Sequence, residues 1–188
     1  MTECRLNRKD QLLLLDLARA SIRQGAQAGR PLTVAQEELS EELVVPRASF
    51  VTLEKNGRLR GCIGSLEAWR PLAVDVAENA FAAAFRDPRF PPLQEDEVEE
   101  LEIHLSLLTV PVAMTFSSEA DLLGQLRPGV DGLILSEGQY RGTFLPSVWA
   151  ELPTPQLFLT HLKHKAGLAA DYWSPGVRIW RYETEMVE

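Results

Sequence analysis

The chain has 188 residues, 45% of them hydrophobic, enough for one large domain or two small ones sharing a core. Its net charge of −8 and its densest charge run, the acidic QEDEVEELE at 94–102, argue against a phosphate-tracking surface and so against nucleic acid as a partner. No apolar run approaches the roughly 18 residues of a membrane span, and the first residues lack a signal peptide's apolar core, so the expectation is a cytoplasmic protein with no membrane partner.

Asn7 followed by Asp10 marks a helix start, and DQLLLLDLARASIRQGAQAG then gives a helix of about five turns, docked through Leu13, Leu14, Leu17 and Ile22 and ended by Gly25 or Gly29. After a loop with Pro31 and the short acidic segment SEELVVPRASF comes FVTLEKNGRLRGCIGSL. Asn56-Gly57 at its centre predicts a hairpin, because both residues tolerate the positive φ of a type I′ turn. Counting outward pairs Lys55 with Arg58, Leu53 with Arg60, Val51 with Cys62 and Phe50 with Ile63. Phe50, Leu59 and Ile63 then share a core face, and Arg58, Arg60 and Cys62 share the other.

Further on, RPLAVDVAENAFAAAFRDPRF predicts an alanine-rich helix from about Pro71 to Arg86, stopped by Asp87-Pro88. LEIHLSLLTV alternates as a half-buried strand with Glu102, His104 and Ser106 on its polar side. SSEADLLGQL is a short capped helix, and DGLILSEGQYRGTFLP a second hairpin with Glu137-Gly138 at its tip, where Arg141-Gly142-Thr143 repeats the shape of Arg60-Gly61-Cys62. TPQLFLTHLKHKAGLAADYW is a helix with Phe158, Leu162, Ala166 and Ala169 inward, ending near Gly167 or soon after, and GVRIWRYETEMV a closing strand. Helices and hairpins mix without a βαβ rhythm, so the fold class is α+β.

Two cysteines, Cys4 in a frayed N-terminus and Cys62, make neither a disulfide framework nor a cysteine zinc site, and both read as free thiols. Cys62 has three readings. It is a small buried hydrophobe, or a thiolate favoured by Arg60 two residues away, or a ligand contact. Gly61 and Gly64 weaken a strand, so a bulge or the close approach of another backbone or a ligand must compensate. Asp87 and Arg89 in RDPRF either lock a turn or form an anion-binding rim. Lys165 lies at the edge of an apolar stripe, as a cleft donor or a snorkelling surface lysine. His161 and His164 share the outer side of the last helix and leave only His104, on another strand, as a third imidazole. No metal is expected. Nucleotide, flavin, hydrolase and zinc-protease motifs are absent, and no cofactor is expected.

Four segments in series, FVTLEKNGRLRGCIGSL, AFAAAFRDPRFPPL, DGLILSEGQYRGTFLPSVW and HKAGLAADYW, resemble the AMMECR family over residues 8 to 184. Its bacterial and archaeal members are called AmmeMemoRadiSam system protein A. The resemblance implies a single domain over 8–184 in two unequal lobes. The larger lobe holds both chain ends around an antiparallel sheet, a smaller lobe is inserted, and the R-G-C-I-G segment lines a cleft between them. It implies a functional association with a Memo-type protein and a radical SAM enzyme. Matching motif residues are Arg60, Gly61, Cys62, Ile63 and Gly64, then Asp87, Pro88, Arg89 and Phe90, then Leu145-Pro146 and Lys165-Ala166-Gly167-Leu168. WAELPTP, from Trp149 to Pro155, departs from the family pattern.

Two functions follow. The preferred one is a non-enzymatic module that binds a partner protein or a small anionic ligand through Arg60, Arg89, Lys165 and the room left by the glycines. The alternative is an enzyme with Cys62 as nucleophile, Arg60 activating the thiolate and His104 or His164 carrying the proton. A nucleic-acid-linked regulatory role ranks last.

Overall fold

A computed structural model describes residues 6–188; Cys4 lies outside the described residues. In chain order the elements are α1 (Arg8–Ala28), α2 (Glu41–Val44), β1 (Ser49–Lys55), β2 (Arg58–Gly64), α3 (Leu72–Phe85), a 3-10 helix (Glu95–Glu100), β3 (Leu101–Leu108) and β4 (Val112–Ala113). There follow α4 (Glu119–Gln125), β5 (Gly132–Glu137), β6 (Tyr140–Phe144), a second 3-10 helix (Pro146–Ala150), α5 (Pro155–Ala166), β7 (Arg178–Tyr182) and β8 (Thr184–Val187). The fold is mixed helix and antiparallel sheet. No helix among the described residues is long and apolar enough to cross a membrane. Two compact units result: one runs to Thr109 and takes back Glu185–Glu188, the other is Val110–Thr184.

In the first unit the strand order is β2-β1-β3-β8. The Asn7 side chain caps α1 by accepting from the Asp10 N–H, and Gly29 ends it in the left-handed region, which costs glycine nothing. Leu14, Ala18 and Ile22 of α1 and Ala73, Val76, Ala80 and Ala83 of α3 are buried with Val51, Leu53, Leu105 and Leu107 of the sheet. Small alanines let α3 lie close to the strands. A buried polar network fixes where it starts: Asp75 accepts from the Ser49 N–H at 2.9 Å and the Ser49 hydroxyl at 2.6 Å, and from Asn79 and Arg70. Both oxygens of that buried carboxylate thus accept from donors, Oδ2 from three and Oδ1 from Arg70, which offsets its desolvation.

The first hairpin turns at Asn56 and Gly57, both at positive φ as the type I′ turn demands. Its register departs from the predicted one beyond the turn. Lys55 pairs with Arg58 and Glu54 with Leu59, but Leu53 pairs with Gly61, so Arg60 is the extra residue of a β-bulge and every later pair is displaced by one. Cys62 therefore faces Thr52, not Val51, and Ile63 joins Val51 toward the core. Phe50 falls on the outer face with Thr52 and Glu54, and Leu59 is 42% exposed. Counting from the turn is blind to an inserted residue, and the shift moved the faces.

In the second unit the strand order is β4-β7-β5-β6, and α5 buries Phe158, Leu159 and Leu162 with Leu133, Leu135 and Ile179. Trp149 stacks on Phe158 at 3.9 Å, and its indole N–H donates to the Asp131 carbonyl at 2.7 Å. Gly167 ends α5 in the left-handed region, so Ala169 lies beyond the helix and is exposed instead of inward. The second hairpin turns at Gly138-Gln139, since Glu137 pairs with Tyr140. GVRIWRYETEMV is two strands, not one: β7 belongs to the second sheet and β8 to the first.

Candidate functional site

The R-G-C-I-G strand and the D-P-R-F turn meet in the first unit through Asp87. Its carboxylate is 4% exposed and accepts from the Cys62 N–H at 2.9 Å and the Arg89 N–H at 3.1 Å. It also takes a two-pronged pair from the Arg89 guanidinium, Nε at 2.9 Å and Nη2 at 2.7 Å. Hydrogen bonding from Arg89 above all, helped by the Cys62 N–H against the opposing effect of burial, holds the Asp87 carboxyl well below the usual carboxylate range. The same pairing pushes Arg89 up, with a smaller electrostatic contribution from Cys62. Arg89 Nη2 also donates to the Cys62 carbonyl at 3.3 Å. The aspartate before the proline is thus a clamp tying the end of α3 to β2.

Arg60 turns elsewhere. Its Nε and Nη2 pair with Glu97 at 3.2 and 3.0 Å, and Nη1 donates to the Pro91 carbonyl at 3.0 Å. The Arg60 hydrogen bond, chiefly, pulls the Glu97 carboxyl down to about 2 against burial, with the Gln94 N–H and Lys55 assisting. Arg60 is neutralised on a carboxylate, and the guanidinium bonded to Cys62, through its carbonyl, is that of Arg89. Glu97 was hidden in the acidic run, which reads as a solvated face until its 3-10 turn forms.

Gly61 and Gly64 answer to packing. A Cβ at Gly61 would run into the Ala83 carbonyl of α3, and one at Gly64 would meet the Phe50 ring and the Ser49 carbonyl oxygen at 2.5 Å. Close approach of another backbone, together with the bulge, explains them. Ile63 packs at the core margin.

Cys62 is a free, half-buried thiol, and among the described residues its side-chain hydrogen-bond partner is the Thr52 hydroxyl at 3.3 Å. Thr52 is opposite Cys62 on one side and His104 on the other, so the three form a row on the outer face of the sheet. With β1 between them, the Cys62 and His104 backbones are two strand spacings apart, about 9.5 Å. The imidazole's own contacts are acidic: Nε2 lies 3.9 Å from Glu54 and Nδ1 3.3 Å from Glu188.

His164 and Lys165 lie in the second unit, both exposed on α5, and the Lys165 ammonium sits 5.0 Å over the Phe144 ring. The buried cation of that helix is Lys163, 1% exposed, bonded to Glu119 at 2.6 Å and the Ala170 carbonyl at 3.2 Å. Sequence reasoning passed over it, although its i+4 spacing from Leu159 puts it on the apolar side.

The sequence profile of the AMMECR1 family matches residues 15–187. A protein of Methanothermobacter thermautotrophicus is 37% identical over 96% of this chain and 95% of its own length. One of Thermotoga maritima is 39% identical over 79% of this chain and 82% of its own. Among solved structures, the crystal structure of an uncharacterised protein from Pyrococcus horikoshii is similar with a TM-score of 0.86 and 29% identity, covering 96% of this chain and 92% of that one.

Proposed function

The chain belongs to the AMMECR1 family, and from that premise we propose that it is a binding component, not an enzyme, acting beside a Memo-type protein and a radical SAM enzyme. The recognition surface is the R-G-C-I-G strand with the D-P-R-F turn. One observation carries this reading. Arg89 is fixed by Asp87 yet its side chain is 54% exposed, and its Nη1 makes no hydrogen bond among the described residues. A guanidinium held by a buried carboxylate has little further freedom to lose on binding, and its open edge offers two N–H groups to a carboxylate or other anion. Asp87 and Gly61 build the platform, Arg60 stiffens it through Glu97, and Arg89 with Cys62 is the part a partner meets.

Against an enzyme stands the thiol's setting: a hydroxyl, not an imidazole, is its neighbour, and a hydroxyl is a poor general base. The test measures the affinity of the Memo-type protein and of the radical SAM enzyme from the same genome for the native chain, Arg89→Ala and Cys62→Ser, with melting curves to confirm folding. The expected result is binding of at least one partner, weakened at least tenfold in Arg89→Ala and less than threefold in Cys62→Ser. Equal affinity in all three proteins, or no binding of either partner, overturns the reading. Loss in Cys62→Ser alone would move the weight to thiol chemistry.

A further inference from the structure

We infer that the outer face of the first sheet carries a divalent transition-metal site built from Glu54, Glu102 and His104. One donor atom from each of the three lies within 4.8 Å of the other two. The cluster is set by register: Glu54 of β1 is directly opposite Glu102 of β3, and His104 follows Glu102 by two residues, on the same face.

The arrangement is costly as it stands. Two carboxylates directly opposite on neighbouring strands repel, and a sheet face normally sets opposite charges there. Among the described residues no lysine or arginine pairs with either carboxylate. Glu102 makes no side-chain hydrogen bond or ion pair among the described residues, and the one contact of Glu54 is the 3.9 Å approach to His104. Lys55, next in the chain, is engaged with Glu97 and Glu100. A cation between the three groups removes that repulsion.

The imidazole makes this more than a patch of acid. Its Nδ1 lies 3.3 Å from a Glu188 carboxylate oxygen and its Nε2 is turned toward Glu54, so an imidazole that donates Nδ1–H to Glu188 presents its Nε2 lone pair to a cation beside Glu54. A carboxylate behind a histidine fixes tautomer and ring orientation and raises the basicity of the ligating nitrogen. One imidazole and two carboxylates suit Zn2+ and its first-row neighbours, whereas Mg2+ and Ca2+ favour oxygen alone. Ligand atoms around tetrahedral Zn2+ lie about 3.4 Å apart. Closing from the present spacing takes only side-chain rotation of two glutamates at the surface.

The experiment treats the whole 188-residue chain with EDTA and titrates it with ZnCl2 by calorimetry and with CoCl2 by visible absorption. One equivalent of Zn2+ is expected, weakened at least tenfold by His104→Ala and by Glu102→Gln. The cobalt bands should disappear with His104→Ala. A His161→Ala/His164→Ala double variant should keep the stoichiometry, which separates the site from the exposed imidazoles of α5. Glu102 is exposed and makes no side-chain hydrogen bond or ion pair among the described residues, so Glu102→Gln disturbs no packing and keeps the test decisive if His104→Ala melts early. No saturable binding, or native affinity in both His104→Ala and Glu102→Gln, overturns the inference. Neither result depends on a protein partner.

Discussion

In β1–β2 and again in β5–β6 the second strand carries arginine, glycine and a small side chain, and each glycine lies under a helix backbone. Ala83 of α3 sits on Gly61, and Ala166 of α5 on Gly142. Beyond that the hairpins diverge. β5–β6 pairs from Leu133–Phe144 to Glu137–Tyr140 without a shift, whereas β1–β2 inserts Arg60 as a bulge. The Thr143 hydroxyl donates to the Leu133 carbonyl at 2.8 Å and meets the Tyr182 hydroxyl at 3.2 Å, while the Cys62 thiol meets the Thr52 hydroxyl and its backbone is tied to Asp87. Burial pushes the Tyr182 phenol up to about 12, in keeping with a closed environment. What the hairpins share is helix packing; what differs is the bulge at Arg60 and the tie to Asp87.

The comparison breaks most readily at Asp87. Asp87→Ala removes the acceptor of the Cys62 N–H and of Arg89, and should lower unfolding free energy by about 3 kcal/mol in urea titrations, the range for breaking a buried pair softened by the exposure of Arg89. A loss under 1 kcal/mol would reduce the clamp to an ornament of the turn.

Gly61→Ala and Gly142→Ala sharpen the shared part. Adding a methyl against the Ala83 carbonyl should cost about 2–3 kcal/mol, and against Ala166, where the nearest atom lies 2.9 Å from the added Cβ, about 1–2. Equal costs would mean that the two helices press equally on their strands. Next come the small side chains. Thr143→Val should cost about 1 kcal/mol and Thr52→Val less than about 0.5, because a thiol is a weak hydrogen-bonding partner.

The most specific effect, read in the shape of a pH curve and not in its height, is the titration of Glu97. Its folded-state value is depressed from 4.5 to about 2, so its contribution is fully present above pH 4.5 and is lost as pH falls toward 2. Glu97→Gln should flatten the acid limb of a stability-against-pH curve in that window and leave its shape unchanged above pH 5. An unchanged acid limb would mean that Arg60 gains nothing from the pair.

Much of this was legible in the residues. Asn7, Gly29, Asn56-Gly57 and the alternation of Leu101 to Leu107 act locally, and their elements stand where the pattern puts them. The bulge was not legible, since its cause is tertiary: α3 demands a glycine on its side of β2, and the strand accommodates it by displacing Arg60. The same holds for Glu97 and Lys163, whose partners, Arg60 and Glu119, are distant in sequence and come together only in the fold. The row Cys62–Thr52–His104 required the register of three strands, and an error of one residue at the bulge had set Cys62 opposite Val51.

β8 completes the first sheet beside β3, yet the whole second unit separates them in the chain. During synthesis β3 is made long before its neighbour, so the nascent first unit carries an unpaired strand edge for the time it takes to translate residues 110–184. Such an edge is open to pairing with other chains, and a ribosome stalled within that span would release a product that is sticky along β3.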